Sequence, residues 1–344
     1  MAGPPAAVAA VRVAVRAVLR DLPNGSLVLV ACSGGPDSTA LAAATAFEAP
    51  RAGLRAGLVT IDHGLQDGSA ERAADVVAWG AELGFEPCEA VRVEVGARGG
   101  PEAAARYARY AGLDAAAARH GAAAVLLGHT ANDQAETVLL GLARGSGARS
   151  AAGMAPARGV YRRPLLELPR ATTHAACADE ALPIWHDPHN VDPGYTRSRV
   201  RAVLPALEEA AGGGLMAGLA RSAALLRADA DLLDDLAAEL LVRVTVPDPA
   251  VPDGDFLAAR RHRTLDTRTL ADAHPALRGR VLRRWAIEQG APAGTLAWTH
   301  VDALDALVTR WRGQGAVHLP EGIEVVRANG ILVARHVARR FVPR

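Results

Sequence analysis

The chain has 344 residues, of which 50% are hydrophobic and 22% are charged, and its formal net charge is +1. That length allows two domains with separate cores, and the small net charge excludes a polycation that binds nucleic acid through bulk charge alone. The cysteines, Cys32, Cys88 and Cys177, lie far apart without a CxxC pair, which argues against zinc ribbons and cysteine-ligated iron–sulfur clusters.

The N-terminal segment is predicted to be a surface helix rather than a signal peptide. Arg12, Arg16 and Arg20 recur every four residues and give an otherwise apolar helix one basic face. No uninterrupted stretch approaches the roughly 20 apolar residues that span a bilayer. We therefore expect a cytoplasmic protein with no membrane partner, and the sequence leaves open whether it forms a homodimer.

Short apolar runs alternate with helical segments up to about residue 145. The runs are SLVLVA (26–31), AGLVTID (56–62), CEAVRVEV (88–95) and AAAVLLGHT (122–130). Continuous apolar strands separated by helices indicate a parallel sheet covered on both faces. We therefore predict a doubly wound, Rossmann-like α/β domain, whose ligands bind at the carboxyl ends of the strands.

A glycine-rich break at EEAAGGGLMAG (208–218) marks the predicted end of this domain. We predict two domains, 1–215 and 216–344, of which the second is a smaller α/β accessory domain. Its last segment, EGIEVVRANGILVARH, has the pattern of a β-hairpin with Asn329-Gly330 as the turn. One predicted helix of this domain carries four arginines that could face solvent or contact a nucleic acid: Arg278, Arg280, Arg283 and Arg284.

The first strand ends in SGGPDS, a turn suited to binding phosphate. Gly34 and Gly35 can adopt positive φ and let backbone N–H groups approach an anion, to which the next helix adds its positive end. Ser33 and Ser38 offer hydroxyl groups, and Asp37 suits a phosphate only if a cation such as Mg²⁺ lies between them. The spacing is neither a Walker loop nor G-x-G-x-x-G. The structural alternative is a glycine turn with Asp37 as an ordinary helix N-terminal residue.

The fourth strand ends in GHTANDQAET, which forms a second acidic site. Asp133 and Glu136 open the helix that follows, and in a parallel sheet this end faces the same crevice as Asp37. Two carboxylates across a crevice commonly hold Mg²⁺ on a nucleotide. The alternative is a capping pattern, in which Asp133 or Asn132 satisfies free N–H groups at the helix start.

These segments resemble a known family. SGGPDS after a strand is similar to the phosphate loop of the N-type ATP pyrophosphatases, which cleave ATP between the α- and β-phosphates. The order and spacing of further segments narrow the resemblance to the tRNA(Ile)-lysidine synthetases, over nearly the whole chain. These segments are IDHGLQ (61–66), EAAARYARY (102–110), GHTANDQAETVLLGLARGSG (128–147), RRPLL (162–166), HDPHNVDPGYTRSRVRAVLP (186–205), HPALRGRVLRRW (274–285) and LPEGIEVVR (319–327).

The resemblance implies an enzyme that uses ATP and Mg²⁺ to adenylate C2 of the wobble cytidine in an isoleucine tRNA with a CAU anticodon. The ε-amine of L-lysine then displaces AMP, and the tRNA reads AUA instead of AUG. Asp37 and Asp133 are expected to be catalytic and to hold the metal, and Arg106 or Arg109 to hold the carboxylate of lysine unless both face solvent. The expected ATP-binding residues are Ser33, Gly34, Gly35, Pro36, Asp37, Ser38 and His63. The other expected contacts to tRNA or lysine are Glu136, Arg197, Arg199 and Arg201.

Two segments depart from the family's common pattern. Thr130 and Asn132 stand where the family has a histidine and an aspartate, and Ser198 stands for an asparagine. Neither change removes a carboxylate or a charge that the mechanism requires. Two rival functions are a tRNA thiolase of the same superfamily, which would use paired or catalytic cysteines, and a module that binds ATP without turnover.

Overall fold

The computed structural model describes residues 3–64, 66, 68–96, 100–145, 147–185, 187, 192, 194–247 and 263–336. The chain divides into two units, Met1–Arg227 and Ala228–Arg344. The division falls within a long helix, Leu215–Val244, and the boundary predicted at 215/216 lies at the start of that helix. Within the segment HDPHNVDPGY, residues 186, 188–191 and 193 lie outside the described part of the chain.

A parallel sheet forms the centre of the first unit, with six strands in the described residues. They are β1 (Leu27–Ala31), β2 (Arg55–Asp62), β3 (Cys88–Arg92), β4 (Ala124–Leu127), β5 (Ala157–Arg158) and β6 (Tyr161–Arg162). Their order is β3-β2-β1-β4-β6-β5, and β5 pairs antiparallel with β6. Because β2 and β4 lie on opposite sides of β1, the topological switch point falls between β1 and β4, where doubly wound domains bind their ligands.

Helices cover both faces of this sheet. The helical elements from residue 6 to residue 244 are α1 (Ala6–Leu19), α2 (Pro36–Glu48), a 3₁₀ turn (Pro50–Ala52), α3 (Ser69–Glu82), α4 (Pro101–His120), α5 (Ala131–Ala143), α6 (Ala148–Ala151), α7 (Arg170–Asp179), α8 (Thr196–Ala210) and α9 (Leu215–Val244), the last of which continues into the second unit. Val28 and Val30 of β1 face one buried layer with α1, α2 and α7, whereas Leu27 and Leu29 face another with α4. The doubly wound α/β fold is thereby confirmed, because alternate residues of a strand point to opposite faces.

The basic N-terminal segment is the packed helix α1. Its valines at 8, 11 and 15 are buried, while Arg12 pairs with Glu180 at 2.6 Å and Arg16 with Glu48 at 2.8 Å. Among the residues described, no helix is long and apolar enough to cross a membrane.

The second unit contains an antiparallel sheet, with five strands in the described residues and the order β7-β8-β11-β10-β9. Its strands are β7 (Thr245–Pro247), β8 (Arg263–Asp266), β9 (Val317–Leu319), β10 (Ile323–Ala328) and β11 (Ile331–His336), and its helices are α10 (Thr267–Ala271), α11 (Pro275–Glu288), α12 (Trp298–Thr309) and a 3₁₀ turn (Pro320–Gly322). Asn329 and Gly330 both have positive φ between β10 and β11, so the predicted hairpin is confirmed. Trp285 is fully buried and donates its indole N–H to the carbonyl of Arg263 at 2.7 Å.

Candidate active site

The SGGPDS turn connects β1 to α2 at the switch point. Gly34 has a φ of 81°, a conformation that glycine adopts without steric cost, and Gly35 precedes Pro36 at the first position of α2. The Ser38 hydroxyl accepts the backbone N–H of Ser33 at 3.1 Å and donates to the carbonyl of Gly35 at 2.9 Å. Ser38 therefore holds the shape of the turn, while the exposed Ser33 leaves its side chain open to solvent.

The end of β4 lies against the first turn of α2. A Cβ atom added to Gly128 would lie 3.0 Å from the backbone carbonyl of Asp37, so any larger residue would force the two segments apart by a few tenths of an ångström. The contact brings the helix start at Thr130–Asp133 next to Asp37. The two strand ends that the sequence predicted to share a crevice therefore do so.

Asp133 occupies the third position of α5 and completes a capping box. Its Oδ2 atom accepts both the backbone N–H and the hydroxyl of Thr130, each at 2.8 Å. The capping interaction that was the alternative for Asp133 is thus present. It uses one carboxylate oxygen, and the other, Oδ1, faces the crevice.

Arg170, the first residue of α7, joins the two aspartates. Its Nη2 donates to Oδ1 of Asp133 at 2.8 Å, and its Nε lies 3.5 Å from Oδ2 of Asp37. The hydroxyl of Thr173 donates to Oδ1 of Asp37. The carboxylates of Asp37 and Asp133 therefore contact a single guanidinium group.

Glu136 is fully buried, with 0% of its side chain exposed, among arginines. Arg201 binds it in a bidentate manner at 2.7 and 3.1 Å, and Arg197 and Arg170 lie 3.6 and 3.4 Å from its carboxylate oxygens. Arg199 is exposed and donates to the carbonyl of Gly194. Within RSRVR, Arg197 and Arg201 are four positions apart and contact Glu136, while Arg199 does not.

The surroundings shift the pKa values of the two aspartates in opposite directions. Burial raises the pKa of Asp37 above its usual range, because the Thr173 hydrogen bond and the charge of Arg170 offset it only in part. Burial would also raise the pKa of Asp133, but Arg170 and the donors of Thr130 outweigh it and lower the pKa. Asp133 is therefore held firmly as a carboxylate, and Asp37 is the aspartate whose charge lacks full compensation.

A cavity of about 300 Å³ lies between the turn and the end of β2. Ser33, Gly35, His63 and Arg109 are among its lining residues, whereas Gly34, Pro36 and Ser38 do not line it. The Nδ1 atom of His63 is buried without a hydrogen-bond partner among the described residues, and burial followed by the charge of Arg109 lowers the pKa of this histidine. A neutral His63 can therefore offer a donor or an acceptor to a ligand.

The two arginines predicted on α4 have different environments. Arg109 lines the cavity, and in the described part of the chain no hydrogen bond or ion pair holds its guanidinium. Burial lowers the pKa of Arg109. Arg106 is exposed and stacks on Tyr110, with its guanidinium carbon 4.9 Å from the ring centre. Arg109 is therefore the one placed to meet an anionic group in the cavity.

Sequence reasoning missed four residues of this site. Arg170 and Thr173 follow Pro169 in LPRATT, where a proline before a polar run signals a helix start. His129 directly follows β4 in GHT, and burial lowers its pKa to about 3. Trp185 donates its backbone N–H to the carbonyl of Gly34 at 2.8 Å and lines the cavity, and no local pattern in the sequence predicts that contact.

The family departures at positions 130 and 132 have local explanations. Thr130 is the helix cap just described. The Oδ1 atom of Asn132 accepts the backbone N–H of Arg170 at 2.9 Å, and its amide nitrogen lies 3.1 Å from the sulfur of Met216. An aspartate could accept the first bond but could not donate toward Met216.

The cysteines have the character of core residues. Cys32 and Cys177 are buried, Cys88 is partly buried, and all three are free. Burial raises the pKa of Cys32, and it raises that of Cys177 to about 11. Thiols with raised pKa are poor nucleophiles and poor metal ligands, which gives a tRNA thiolase no support.

The residues at the switch point fit a magnesium ion that is shared with a nucleotide. In the described residues, no group of three or more His, Cys, Asp or Glu side chains forms a complete metal site. Mg²⁺ with a nucleotide, however, usually takes one or two carboxylates and completes its shell with phosphate oxygens and water. Asp37 and Asp133 supply that number of carboxylates beside the glycine turn.

The fold, the glycine turn and the crevice define an α/β protein of the PP-loop class. The PP-loop domain family matches residues 10–207, and a second family, described as the TilS substrate binding domain, matches residues 265–333. The chain belongs to the tRNA(Ile)-lysidine synthase family.

Relatives match at nearly full length. A tRNA(Ile)-lysidine synthase of Thermobifida fusca is 57% identical over 97% of this chain and 99% of its own. One of Streptomyces coelicolor is 53% identical over the same shares, and one of Mycobacterium tuberculosis is 45% identical over 89% and 90%.

A solved structure shares the fold. The U34-tRNA thiolase NcsA of Methanococcus maripaludis, with its 4Fe–4S cluster, has a TM-score of 0.52 and covers 64% of this chain and 80% of that chain. At 19% identity, this likeness concerns the fold alone.

Proposed function

We propose that the protein joins L-lysine to C2 of the wobble cytidine of tRNA(Ile) with a CAU anticodon. In the first step, O2 of the cytidine attacks the α-phosphate of ATP, and pyrophosphate leaves. In the second step, the ε-amine of lysine attacks C2, and the C2–O bond breaks so that O2 departs with AMP. The observation that carries the proposal is the meeting of Asp37 and Asp133 beside the glycine turn at the switch point, in a chain whose full-length relatives are named tRNA(Ile)-lysidine synthases.

We assign ATP to the cavity between the turn and β2. The pyrophosphate would be bound by the exposed Ser33, by the backbone at Gly34 and Gly35, and by the N-terminus of α2. The nucleoside end would lie at His63. Mg²⁺ would be held by Asp37 and Asp133, and it would neutralise phosphate charge that develops as the α–β bond breaks.

We assign substrate anions to Arg109 rather than to Arg106. Arg109 is a half-buried cation without an ion-pair partner among the described residues, and it lines the cavity assigned to ATP. Such a group is costly in the free protein and gains most when an anion arrives. The carboxylate of lysine and the α-phosphate are the two anions of this reaction, and either would lie within the site.

Glu136, Arg197 and Arg201 have a positioning role in this proposal. The two arginines already compensate the buried carboxylate, so they orient the wall of the crevice near Asp133. Arg199, which is exposed on the same helix, suits a phosphate of the tRNA backbone.

We assign part of the tRNA contact to the second unit, in which residues 265–333 match a substrate-binding domain. The four arginines of α11, for which the sequence left open solvent exposure or contact with a nucleic acid, all have partners inside the unit. Arg278 pairs with Asp305, Arg280 with Asp234 and Arg284 with Glu288. Arg283 donates to the carbonyls of Ala293 and Leu296. The exposed Arg268 and Arg312 are better placed to meet phosphate.

Nucleoside analysis by mass spectrometry tests the proposal. Incubating the enzyme with ATP, Mg²⁺, L-lysine and a tRNA(Ile) that has a CAU anticodon should yield lysidine, together with AMP and pyrophosphate. A tRNA with a CAU-to-GAU anticodon change serves as the matched control and should stay unmodified. Pyrophosphate release without any new nucleoside, or incorporation of sulfur from a thiol donor, would contradict the proposal.

A further inference from the structure

The guanidinium group of Arg170 is a positive charge within the crevice that holds Asp37 and Asp133. Arg170 contacts three carboxylates, those of Asp37 at 3.5 Å, Asp133 at 2.8 Å and Glu136 at 3.4 Å. Its side chain is 20% exposed, so it lies between the two aspartates rather than in open solvent. The guanidinium group thus occupies the space that separates the two carboxylates assigned to Mg²⁺.

The charges of this cluster balance. The three carboxylates of Asp37, Asp133 and Glu136 face three guanidinium groups, which are Arg170, Arg197 and Arg201. A divalent ion entering alone would add two positive charges to a neutral cluster and would compete with ion pairs already formed. When the divalent ion arrives bound to a nucleotide, the phosphate groups bring negative charge with them. A guanidinium group can then form bidentate hydrogen bonds to a phosphate instead of to a carboxylate.

The backbone of Arg170 is held by contacts that do not involve its guanidinium group. Its N–H donates to Oδ1 of Asn132 at 2.9 Å, and its carbonyl lies 2.7 Å from the hydroxyl of Thr173. The contact to Asp37 is longer than the contact to Asp133. Asp37 is therefore the aspartate that Arg170 can release without disturbing the main chain.

We propose that Arg170 is a built-in counter-cation, which keeps Asp37 and Asp133 from binding a divalent metal ion until the nucleotide arrives. The inference rests on the proposed assignment of Mg²⁺ to these aspartates. It makes Arg170 a positioning residue that couples metal binding to ATP binding, so that the free protein does not hold the metal unproductively.

Binding of Mn²⁺, followed by electron paramagnetic resonance without nucleotide or tRNA, tests the proposal. Wild-type protein should bind Mn²⁺ weakly, and adding α,β-methylene-ATP should tighten binding. Arg170→Gln should tighten Mn²⁺ binding in the absence of nucleotide by about tenfold or more, because one positive charge within about 4 Å is removed. Arg170→Lys, which keeps the charge, should behave like wild type.

Two controls separate the site from general charge effects. In the double variant Arg170→Gln/Asp37→Asn, the gain in Mn²⁺ affinity should disappear. Arg201→Gln removes the same charge, but its main partner is Glu136, so it should give a smaller gain. An equal gain in Arg201→Gln, or a gain that survives Asp37→Asn, would overturn the specific role of Arg170.

Circular dichroism shows whether Arg170→Gln folds. If it does not, the Mn²⁺ affinities of the wild-type protein with and without nucleotide test the proposal instead. Mn²⁺ affinity without nucleotide that equals the affinity with α,β-methylene-ATP would overturn the proposal. These readouts involve no lysidine formation. A failure of the proposed reaction would appear in the nucleoside assay, and a failure of the counter-cation role would appear only in the Mn²⁺ titration.

Discussion

Substituting Asp133 with asparagine should destabilise the protein and stop pyrophosphate release, whereas Asp37→Asn should stop the chemistry alone. The difference follows from the two carboxylate environments. Asp133 accepts four donors, two from Thr130 and one each from Arg170 and Arg201. Among the described residues, Asp37 accepts one hydrogen bond, from Thr173, and its contact to Arg170 is longer, at 3.5 Å.

The magnitude can be worked out from these donors. An amide has one acceptor oxygen, so in Asp133→Asn the NH₂ group must face at least two donors of the present network. If the NH₂ group replaces Oδ2, both lost donors belong to Thr130, and if it replaces Oδ1, both are guanidinium groups. In either case, losing two hydrogen bonds costs about 3 kcal/mol. For a unit of this size that corresponds to a decrease of roughly 6 to 12 °C in the unfolding midpoint. Asp37→Asn should shift the midpoint little, because burial already disfavours the charge of Asp37 and raises its pKa.

Thermal unfolding followed by circular dichroism, together with tRNA-dependent pyrophosphate release, checks both parts. Each variant should lose about a thousandfold or more in the rate of release if each carboxylate helps to hold the metal. Glu167→Gln, at an exposed position, is the matched control and should change neither quantity. An Asp133→Asn protein that unfolds at the wild-type temperature would refute the network argument, and near-normal release by either variant would remove that aspartate from the proposed metal site.

Three other predictions follow from single side chains. Arg109→Met should leave the unfolding midpoint unchanged or raise it, because the half-buried Arg109 has no ion-pair partner among the described residues. It should nevertheless lower lysidine formation by on the order of a hundredfold, and normal turnover in a kinetic assay would contradict this. Arg278→Ala should lower the free energy of unfolding by about 3 kcal/mol in thermal unfolding, because Arg278 is buried and pairs with Asp305 at 2.5 Å. The salt dependence of tRNA binding should stay as in the wild type. Burial lowers the pKa of His129 from 6.5 to about 3, so the unfolded state takes up the proton first, and the stability present above pH 6.5 decreases as the pH falls toward 3. His129→Gln should weaken this decrease in urea unfolding compared at several pH values, and an unchanged pH dependence would count against the assignment.

The amino-acid pattern alone was enough for the features that depend on neighbours along the chain. The predicted run 56–62 became the strand Arg55–Asp62 and the run 26–31 became Leu27–Ala31, because a strand buried on both faces needs a continuous apolar segment. The hairpin at Asn329-Gly330 followed from the positive φ that these residue types tolerate. The meeting of two polar strand ends in one crevice followed from the topology of parallel sheets.

The partners of the charged groups were decided by packing between distant segments. Arg170 contacts Asp37, which is 133 positions earlier in the sequence, because α7 packs beside α2. No local sequence pattern predicts that contact. The choice between Arg106 and Arg109, and the internal pairing of the arginines on α11, likewise depend on which side of a helix faces the rest of the unit. Residue type fixes the charge that a side chain carries, but its pKa and its partner depend on burial and on groups brought near it only when the chain folds.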